Sequence, residues 1–171
     1  MRVILVGYMG SGKSSLGKRL ARALEIPFID SDIEISRKYG KTIPEIFETE
    51  GEKSFRELEK ELVYALYDTQ SFVLATGGGM PCFNGLMTDL NDLGTTIYLK
   101  QSAENLAKRL TVSKTKRPLI EKHKECGTLV SFIENHLLER NPIYSNAKFT
   151  APSWIMKPHQ LIQFANLIQK K

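Results

Sequence analysis

The most distinctive chemistry in the sequence lies near its start, in the stretch GYMGSGKS at residues 7–14. This stretch matches the pattern GxxxxGK[ST] at every fixed position and stands between an apolar run and a helical pattern, as the pattern requires. Glycines let a backbone fold around an anion with its N–H groups pointing inward, and the start of the next helix adds positive partial charge. The stretch is therefore predicted to be a P-loop that binds nucleotide phosphates.

The polar residues of the predicted P-loop have separate expected roles. Lys13 is expected to reach the β- and γ-phosphates of ATP, and the Ser14 hydroxyl is expected to bind Mg²⁺. A dinucleotide-binding GxGxxG pattern fails because Ser15 stands at its third glycine position. The residues expected to bind the nucleotide phosphates are Gly10, Ser11, Gly12, Lys13, Ser14 and Ser15.

A second polar group, Asp30 and Asp32, follows the apolar run PFID at 27–30. Ligands of open parallel sheets collect outside the carboxyl ends of the strands, so both carboxylates are expected at the same crevice as the P-loop. One carboxylate can lie close to Mg²⁺, and the other can accept a hydrogen bond, and later a proton, from an attacking hydroxyl. The alternative is that one of them is the N-cap of the next helix.

Short apolar runs alternate with helical patterns along the chain, which favours a parallel sheet with helices on both faces. Strands are predicted at 2–6, 27–30, 72–76, 95–100 and 154–156. Helices are predicted at 13–24, 31–39, 43–49, 52–68, 84–92, 102–111, 127–139 and 158–169. Residues 112–126 are basic with little periodicity, so they are predicted to form either a flexible surface loop or a lid over the phosphates.

Length and composition are those of an ordinary globular chain. With 171 residues, 42% hydrophobic and 25% charged, a single domain over residues 1–171 is expected. The net charge of +5 fits small anionic ligands, and no clustered basic face with interleaved aromatic residues indicates a nucleic-acid partner. Cys82 and Cys126 form no CxxC motif, so neither a disulfide framework nor a zinc site is predicted.

The sequence contains no signal of membrane insertion or secretion. No apolar stretch approaches the length of a membrane span. Residues 1–20 lack the uninterrupted apolar region of a signal peptide, because the P-loop interrupts them. A cytoplasmic location without a membrane partner is therefore expected.

Six motifs in order give the sequence a resemblance to a known family. GYMGSGKS is followed by DSD at 30–32, FRELE at 55–59, GGG at 77–79, RPLI at 117–120 and ERNPIY at 139–144. Over residues 2–147 the chain resembles the shikimate kinases. The resemblance implies a three-layer α/β P-loop kinase fold, like that of nucleoside monophosphate kinases, with a five-stranded parallel sheet in the order 2-3-1-4-5. It also implies a substrate-binding segment at about 31–60 and a mobile lid at 112–126.

The resemblance further implies a reaction and its ligands. The reaction is transfer of the γ-phosphoryl group of ATP, with Mg²⁺, to the 3-hydroxyl of shikimate in aromatic amino-acid biosynthesis. The implied partners are shikimate and ATP, and the protein is expected to be a monomer. Asp32 matches the catalytic, substrate-binding acid of the family, and Asp30 matches the acid near Mg²⁺.

The remaining implied residues belong to the acceptor and the lid. Arg56 and Arg140 match the arginines that bind the shikimate carboxylate, and Glu59 matches the acid that orients Arg56. Arg117 matches the phosphate-binding arginine of the lid, with a catalytic role in neutralising the transferred group, and Arg109 is expected near the adenine. The substrate-binding glycines are Gly77, Gly78 and Gly79, which let the backbone approach the ring.

Plainer interpretations of these residues are open from the sequence alone. Arg56 could lie on a solvated helix face, the three glycines could form a simple turn, and Arg117 could belong to an ordinary basic loop. The chain also departs from the family after ERNPIY, because Ala147 and Lys148 stand where an Ala-Asp pair is usual. That departure concerns the adenine side and the last strand.

Three alternative functions share the P-loop. A gluconate-type kinase has the same architecture, but DSD, FRELE and GGG together fit shikimate better. A nucleoside monophosphate kinase usually has a lid richer in arginine. A P-loop binding module, or a basic nucleic-acid-binding protein, would hydrolyse ATP without a small acceptor.

Overall fold

Five parallel strands form one sheet in the computed structural model, which describes residues 1–113, 118–151, 160 and 163. Every neighbouring pair of strands is parallel, and the order β2-β3-β1-β4-β5 confirms the order that the resemblance implies. The first four strands agree with their predicted ranges to within one residue at each end. The strands are β1 (Arg2–Val6), β2 (Phe28–Asp30), β3 (Phe72–Ala75), β4 (Thr95–Leu99) and β5 (Phe149–Ala151).

The predicted position of the fifth strand was wrong. The strand that pairs with β4 is Phe149–Ala151, whereas the predicted range 154–156 lies outside the described residues. Lys148 fixes the start of β5, because its backbone N–H donates to Thr96 Oγ1 at 2.9 Å and its Nζ donates to the Gly94 carbonyl at 2.9 Å. The position of β5 is therefore set by its pairing with β4, because the composition of these three residues does not by itself indicate a strand.

Seven α-helices and two 3₁₀ turns connect the strands in the described part of the chain. The first two helices have the predicted bounds. The helices are α1 (Lys13–Leu24), α2 (Ser31–Tyr39), α3 (Ile43–Ala65), α4 (Leu86–Leu93), α5 (Ala103–Thr111), α6 (Pro118–Glu125) and α7 (Leu129–Tyr144). The 3₁₀ turns are Leu66–Asp68 and Met80–Cys82.

The predicted helices 43–49 and 52–68 correspond to the two parts of α3, which are separated by Gly51, whose backbone is not helical (φ 80°, ψ 171°), and a 3₁₀ turn follows the second part. Two other predictions need correction. The segment 112–126 contains α6, whose proline at the first position suits a helix start. Helix α7 extends to Tyr144, so Arg140 is a helical residue. The predicted helix 158–169 lies outside the described residues except for 160 and 163.

The central strand β1 explains the three layers. Val3, Ile4, Leu5 and Val6 are all fully buried, because side chains alternate between the two faces of a sheet that is covered on both. Val3 and Leu5 pack in one cluster with apolar residues of α1, while Ile4 and Val6 pack in another with residues of α4, α5 and α7. In the described part of the chain, no helix combines the length and apolar character needed to cross a bilayer.

Candidate active site

The P-loop joins β1 to α1 at the carboxyl edge of the sheet. Gly7, Gly10 and Gly12 have φ values of 139°, 79° and 100°, which other residues adopt at a cost. The Nζ of Lys13 donates to the carbonyls of Gly7 at 2.7 Å and Tyr8 at 2.9 Å, and this side chain is buried. The sequence therefore folds into a tight loop that holds its own ammonium group against its backbone.

Ser14 and Asp30 meet beside the P-loop. Ser14 Oγ donates to Asp30 Oδ2 at 2.6 Å, and Asp30 Oδ1 accepts from the backbone N–H of Asp32 at 3.2 Å. The second contact makes Asp30 the N-cap of α2, so the N-cap interpretation is confirmed for this residue. The oxygens of Ser14 and Asp30 are hard donors of the kind that Mg²⁺ prefers, so this pair fits a magnesium ion that keeps phosphate and water ligands.

Asp32 projects from the first turn of α2 toward the end of β3. A Cβ built on Gly77 would lie 2.8 Å from Asp32 Oδ1 and 3.1 Å from Glu59 Oε1. The Gly77 N–H donates to Ser31 Oγ at 2.7 Å, and Ser31 Oγ donates to Asp32 Oδ1 at 3.3 Å. The missing side chain at Gly77 therefore lets two carboxyl groups from different helices approach one point of the backbone.

Electrostatics favour Asp32 as a proton acceptor. Burial and the neighbouring Asp30 charge raise the pKa of Asp32 above its ordinary value. The charges of Lys13 and Arg56, together with the hydrogen bond from Ser31, oppose that rise. A carboxylate with a raised pKa is a stronger base than an exposed one, which suits the role predicted for this residue.

The other two glycines of the glycine turn, residues 77–79, contact different parts of the site. A Cβ on Gly78 would lie 3.0 Å from the backbone nitrogen of Met9 in the P-loop. A Cβ on Gly79 would lie 2.9 Å from Nη2 and 3.0 Å from Nη1 of Arg56. The simple-turn interpretation is therefore insufficient, because the turn joins the P-loop on one side to a cationic pocket on the other.

Arg56 is held in place by helix α3 and by an aromatic ring. Its Nη1 donates to Glu59 Oε2 at 2.7 Å, its Nη2 donates to Glu52 Oε1 at 2.8 Å, and its Cζ lies 3.9 Å from the centroid of the Phe83 ring. The side chain is 11% exposed, so the interpretation as a solvated helix face was wrong. Arg56 Nε is buried and has no hydrogen-bond partner among the described residues.

Glu59 is a fully buried carboxyl group on the inner face of α3. Burial raises the pKa of Glu59 to about 7, the charge of Arg56 opposes the rise, and the charges of Asp32 and Glu52 add to it. Its Oε2 accepts from Arg56, whereas its Oε1 has no hydrogen-bond partner within the described part of the chain. Glu59 orients Arg56 as predicted, and it also leaves one oxygen unpaired.

Arg140 approaches the same pocket from α7. Its Cζ lies 5.6 Å from the centroid of the Tyr8 ring, and Tyr8 Oη lies 3.0 Å from His136 Nδ1. Arg140 Nη1 is buried and finds no hydrogen-bond partner in residues 1–113 and 118–151. Burial raises the pKa of the Cys82 thiol, and the charges of Arg140 and Arg56 both oppose the rise. The two arginines therefore converge near the turn Met80–Cys82.

Several contacts in this pocket were missed by sequence reasoning. Phe83 and Tyr8 support the two arginines, and the Tyr144 hydroxyl donates to the Gly78 carbonyl at 2.5 Å. Tyr144 is part of the quoted motif ERNPIY, so its position was a usable signal. Tyr8 is part of the quoted motif GYMGSGKS and offered the same signal, whereas Phe83 offered none because the arginine that it contacts is distant in sequence.

Of the remaining predicted residues, Arg109 and Ser15 lie at or next to the P-loop, and Arg117 is not among the described residues. Arg109 Nη1 donates to the carbonyls of Ser11 at 3.0 Å and Gly10 at 3.4 Å, so this side chain lies against the P-loop. Its contact with adenine stays a prediction. Ser15 is exposed in the first turn of α1, next to Ser14. Arg117 lies outside the described residues, and its phosphate-binding role stays a prediction.

A P-loop at the end of the central strand, a nearby carboxylate pair and a buried cationic pocket define a P-loop kinase for a small acidic acceptor. The family model described as shikimate kinase matches residues 9–162. The chain belongs to the shikimate kinase family.

Individual relatives agree with this family. A shikimate kinase of Bacteroides fragilis is 44% identical over 149 residues, which cover 87% of this chain and 83% of that protein. The crystal structure of a shikimate kinase from Bacteroides thetaiotaomicron superposes with a TM-score of 0.88 at 36% identity, covering 99% of this chain and 97% of the other. A shikimate kinase from Acinetobacter baumannii in complex with shikimate gives a TM-score of 0.82 at 34% identity, with 99% and 90% covered.

Proposed function

We propose that this protein transfers the γ-phosphoryl group of ATP to the 3-hydroxyl of shikimate, giving shikimate 3-phosphate and ADP. The observation that carries the proposal is the convergence of Arg56 and Arg140, from two distant helices, near Cys82, while the glycine turn contacts both Arg56 and Asp32. Each guanidinium group keeps one buried nitrogen without a hydrogen-bond partner among the described residues, and the carboxylate of shikimate can accept from such donors. Membership of the family supports the same acceptor.

The acceptor side supplies complementary groups for a polyol acid. Arg56 Nε and Arg140 Nη1 are buried donors without a partner among the described residues, and a carboxylate can accept from both. Phe83 packs against the Arg56 guanidinium and limits its movement, so the planar guanidinium group is oriented before the acceptor binds. We infer that the carboxylate lies toward these arginines and the reactive hydroxyl toward Asp32.

The chemical step requires a proton acceptor and charge stabilisation. We infer that Asp32 accepts the proton of the 3-hydroxyl as the acceptor oxygen forms a bond to the γ-phosphorus and the bond to the β-phosphate oxygen breaks. Lys13 exchanges the carbonyls of Gly7 and Tyr8 for phosphate oxygens and stabilises the charge that develops on them. Ser14 and Asp30 would hold Mg²⁺, which neutralises phosphate charge when bound. The single-domain organisation, the monomeric state and the cytoplasmic location stay predictions.

ADP release in a coupled assay tests the proposal with four parallel reactions. The purified protein receives ATP and Mg²⁺ with shikimate, gluconate, AMP or no acceptor. We expect rapid ADP release with shikimate and little above background in the other three. A clear response to gluconate or AMP would instead indicate a gluconate-type or nucleoside monophosphate kinase. An equal rate without any acceptor would indicate a P-loop protein that hydrolyses ATP without a small acceptor.

A further inference from the structure

The two oxygens of the Glu59 carboxyl group have different surroundings. Oε2 accepts from Arg56 Nη1 at 2.7 Å, whereas Oε1 is buried and has no hydrogen-bond partner among the described residues. Oε1 and Asp32 Oδ1 lie 3.1 Å and 2.8 Å from the same Cβ position on Gly77. The unpaired oxygen therefore faces the acceptor side of the site. Leaving a buried polar atom unpaired is costly, so Oε1 should gain a partner when the acceptor binds.

The titratable groups around Glu59 lie on three elements. Arg56 and Glu52 lie on α3 with it, Asp32 faces it from α2, and the Cys82 thiol faces it from the turn Met80–Cys82. Burial and the two carboxylates together raise the pKa of Glu59 to about 7 against the effect of Arg56. An anionic acceptor bound to the same arginine would oppose ionisation of Glu59 further, because like charges disfavour one another in a buried site.

We propose that Glu59 binds the acceptor as a neutral carboxylic acid, so that its Oε1–H donates a hydrogen bond to the acceptor and acceptor binding takes up one proton. The inference rests on the proposed function, because the shikimate carboxylate supplies the additional negative charge. The proton comes from solvent, and only the O–H bond on Oε1 forms. Glu59 is thus an acceptor-binding residue as well as the partner that orients Arg56.

Proton linkage fixes the direction of the pH effect. Below about pH 7 Glu59 is already protonated in the free protein, so binding takes up no proton. Above that pH the free protein must first gain the proton, and the apparent Kd rises up to tenfold for each pH unit. The shikimate carboxylate itself stays ionised at these pH values, since ordinary carboxyl groups titrate near pH 4.

Isothermal titration calorimetry of the full chain with shikimate, at pH 6 and pH 8 in buffers of different ionisation enthalpy, measures the proton uptake directly. We expect little uptake at pH 6, close to one proton at pH 8, and a Kd about tenfold higher at pH 8. Glu59→Gln should remove both the uptake and the pH dependence. Glu61→Gln is the matched control, because Glu61 lies on the same helix, is 55% exposed and pairs with Lys38, and this variant should keep both.

Three results would overturn the inference. Shikimate binding to the wild type without proton uptake at pH 8 excludes a neutral Glu59 in the complex, while leaving the proposed function intact. Uptake that persists in Glu59→Gln assigns the proton to another group. A failure of shikimate to bind at either pH removes the proposed function and this inference together.

Discussion

The nucleotide side and the acceptor side of the site are built in opposite ways. The nucleotide side is one stretch of eight residues whose lysine is bonded to the carbonyls of its own loop. The proposed acceptor side combines Asp32 from α2, Arg56 and Glu59 from α3, the glycine turn after β3, and Arg140 from α7. One region is local in sequence, and the other depends on the complete tertiary fold.

The two sides also differ in how many of their buried polar atoms lack a hydrogen-bond partner in the described part of the chain. The P-loop has one such atom, Ser11 Oγ, whereas the acceptor side has three, Arg56 Nε, Glu59 Oε1 and Arg140 Nη1. A site with unpaired buried groups discriminates strongly, because an acceptor that lacks the matching atoms leaves them unpaired. If the proposed function holds, phosphate binding depends on the P-loop alone, whereas acceptor specificity depends on residues of α3 and α7.

Asp32→Asn is expected to give the largest effect, because it removes the proposed proton acceptor between the two sides. We expect kcat to fall by about 10² to 10⁴, the range for a positioned general base, with the KM for ATP nearly unchanged. Steady-state kinetics with both substrates varied measure this. Glu34→Gln, on the same helix and paired with Arg37, is the control. If Asp32→Asn retains more than about a tenth of the wild-type kcat, Asp32 is not the base.

Lys13→Ala should reduce kcat by about 10² to 10³ with any acceptor that the protein uses, because this cation serves phosphates common to all of them. The same assay on Lys18→Ala provides a matched control, since Lys18 is an exposed lysine of α1. That control should remain within about twofold of wild type, as surface substitutions generally do. Unchanged turnover in Lys13→Ala would show that GYMGSGKS is not the working nucleotide site.

Arg56→Ala and Arg140→Ala should each weaken acceptor binding by about 10- to 100-fold, since a charge-assisted hydrogen bond contributes roughly 1.5 to 3 kcal/mol. The affinity for ATP should barely change, and Arg37→Ala, which removes a 76% exposed arginine, should change neither affinity. A shikimate analogue with an amide in place of the carboxylate sharpens the test, because Arg56→Ala should cost much less with it. Equal losses of affinity for shikimate and for its amide analogue would show that Arg56 contributes to nucleotide binding or to folding instead.

Gly78→Ala and Gly79→Ala should separate the two sides with the smallest perturbation. The Gly78 methyl group meets the Met9 nitrogen of the P-loop, so we expect the KM for ATP to rise. The Gly79 methyl group meets the Arg56 guanidinium, so we expect the KM for shikimate to rise instead. Each change should be about tenfold or less, because the contacts are displaced and not removed. The same kinetic change in both variants would contradict the division of the site.

The comparison also explains which features the sequence made predictable. The P-loop, α1, α2 and the first four strands depend on local patterns, and Asp30 and Asp32 follow from the strand end before them. Arg56 and Arg140 are 84 positions apart in the sequence, so only the family resemblance predicted that they belong to the same site. The Tyr8–His136 contact and the position of β5 are decided by tertiary packing, which local patterns do not encode.

Phosphorus–proton correlation NMR of the product made from ATP and shikimate tests the central claim most directly. The proposed geometry directs the shikimate carboxylate to the arginines of α3 and α7 and the reactive hydroxyl to Asp32. The account predicts one new phosphate monoester whose phosphorus couples to the proton on carbon 3 of shikimate. Coupling to a proton on another carbon, or inorganic phosphate as the sole new phosphorus species besides ADP, would contradict it.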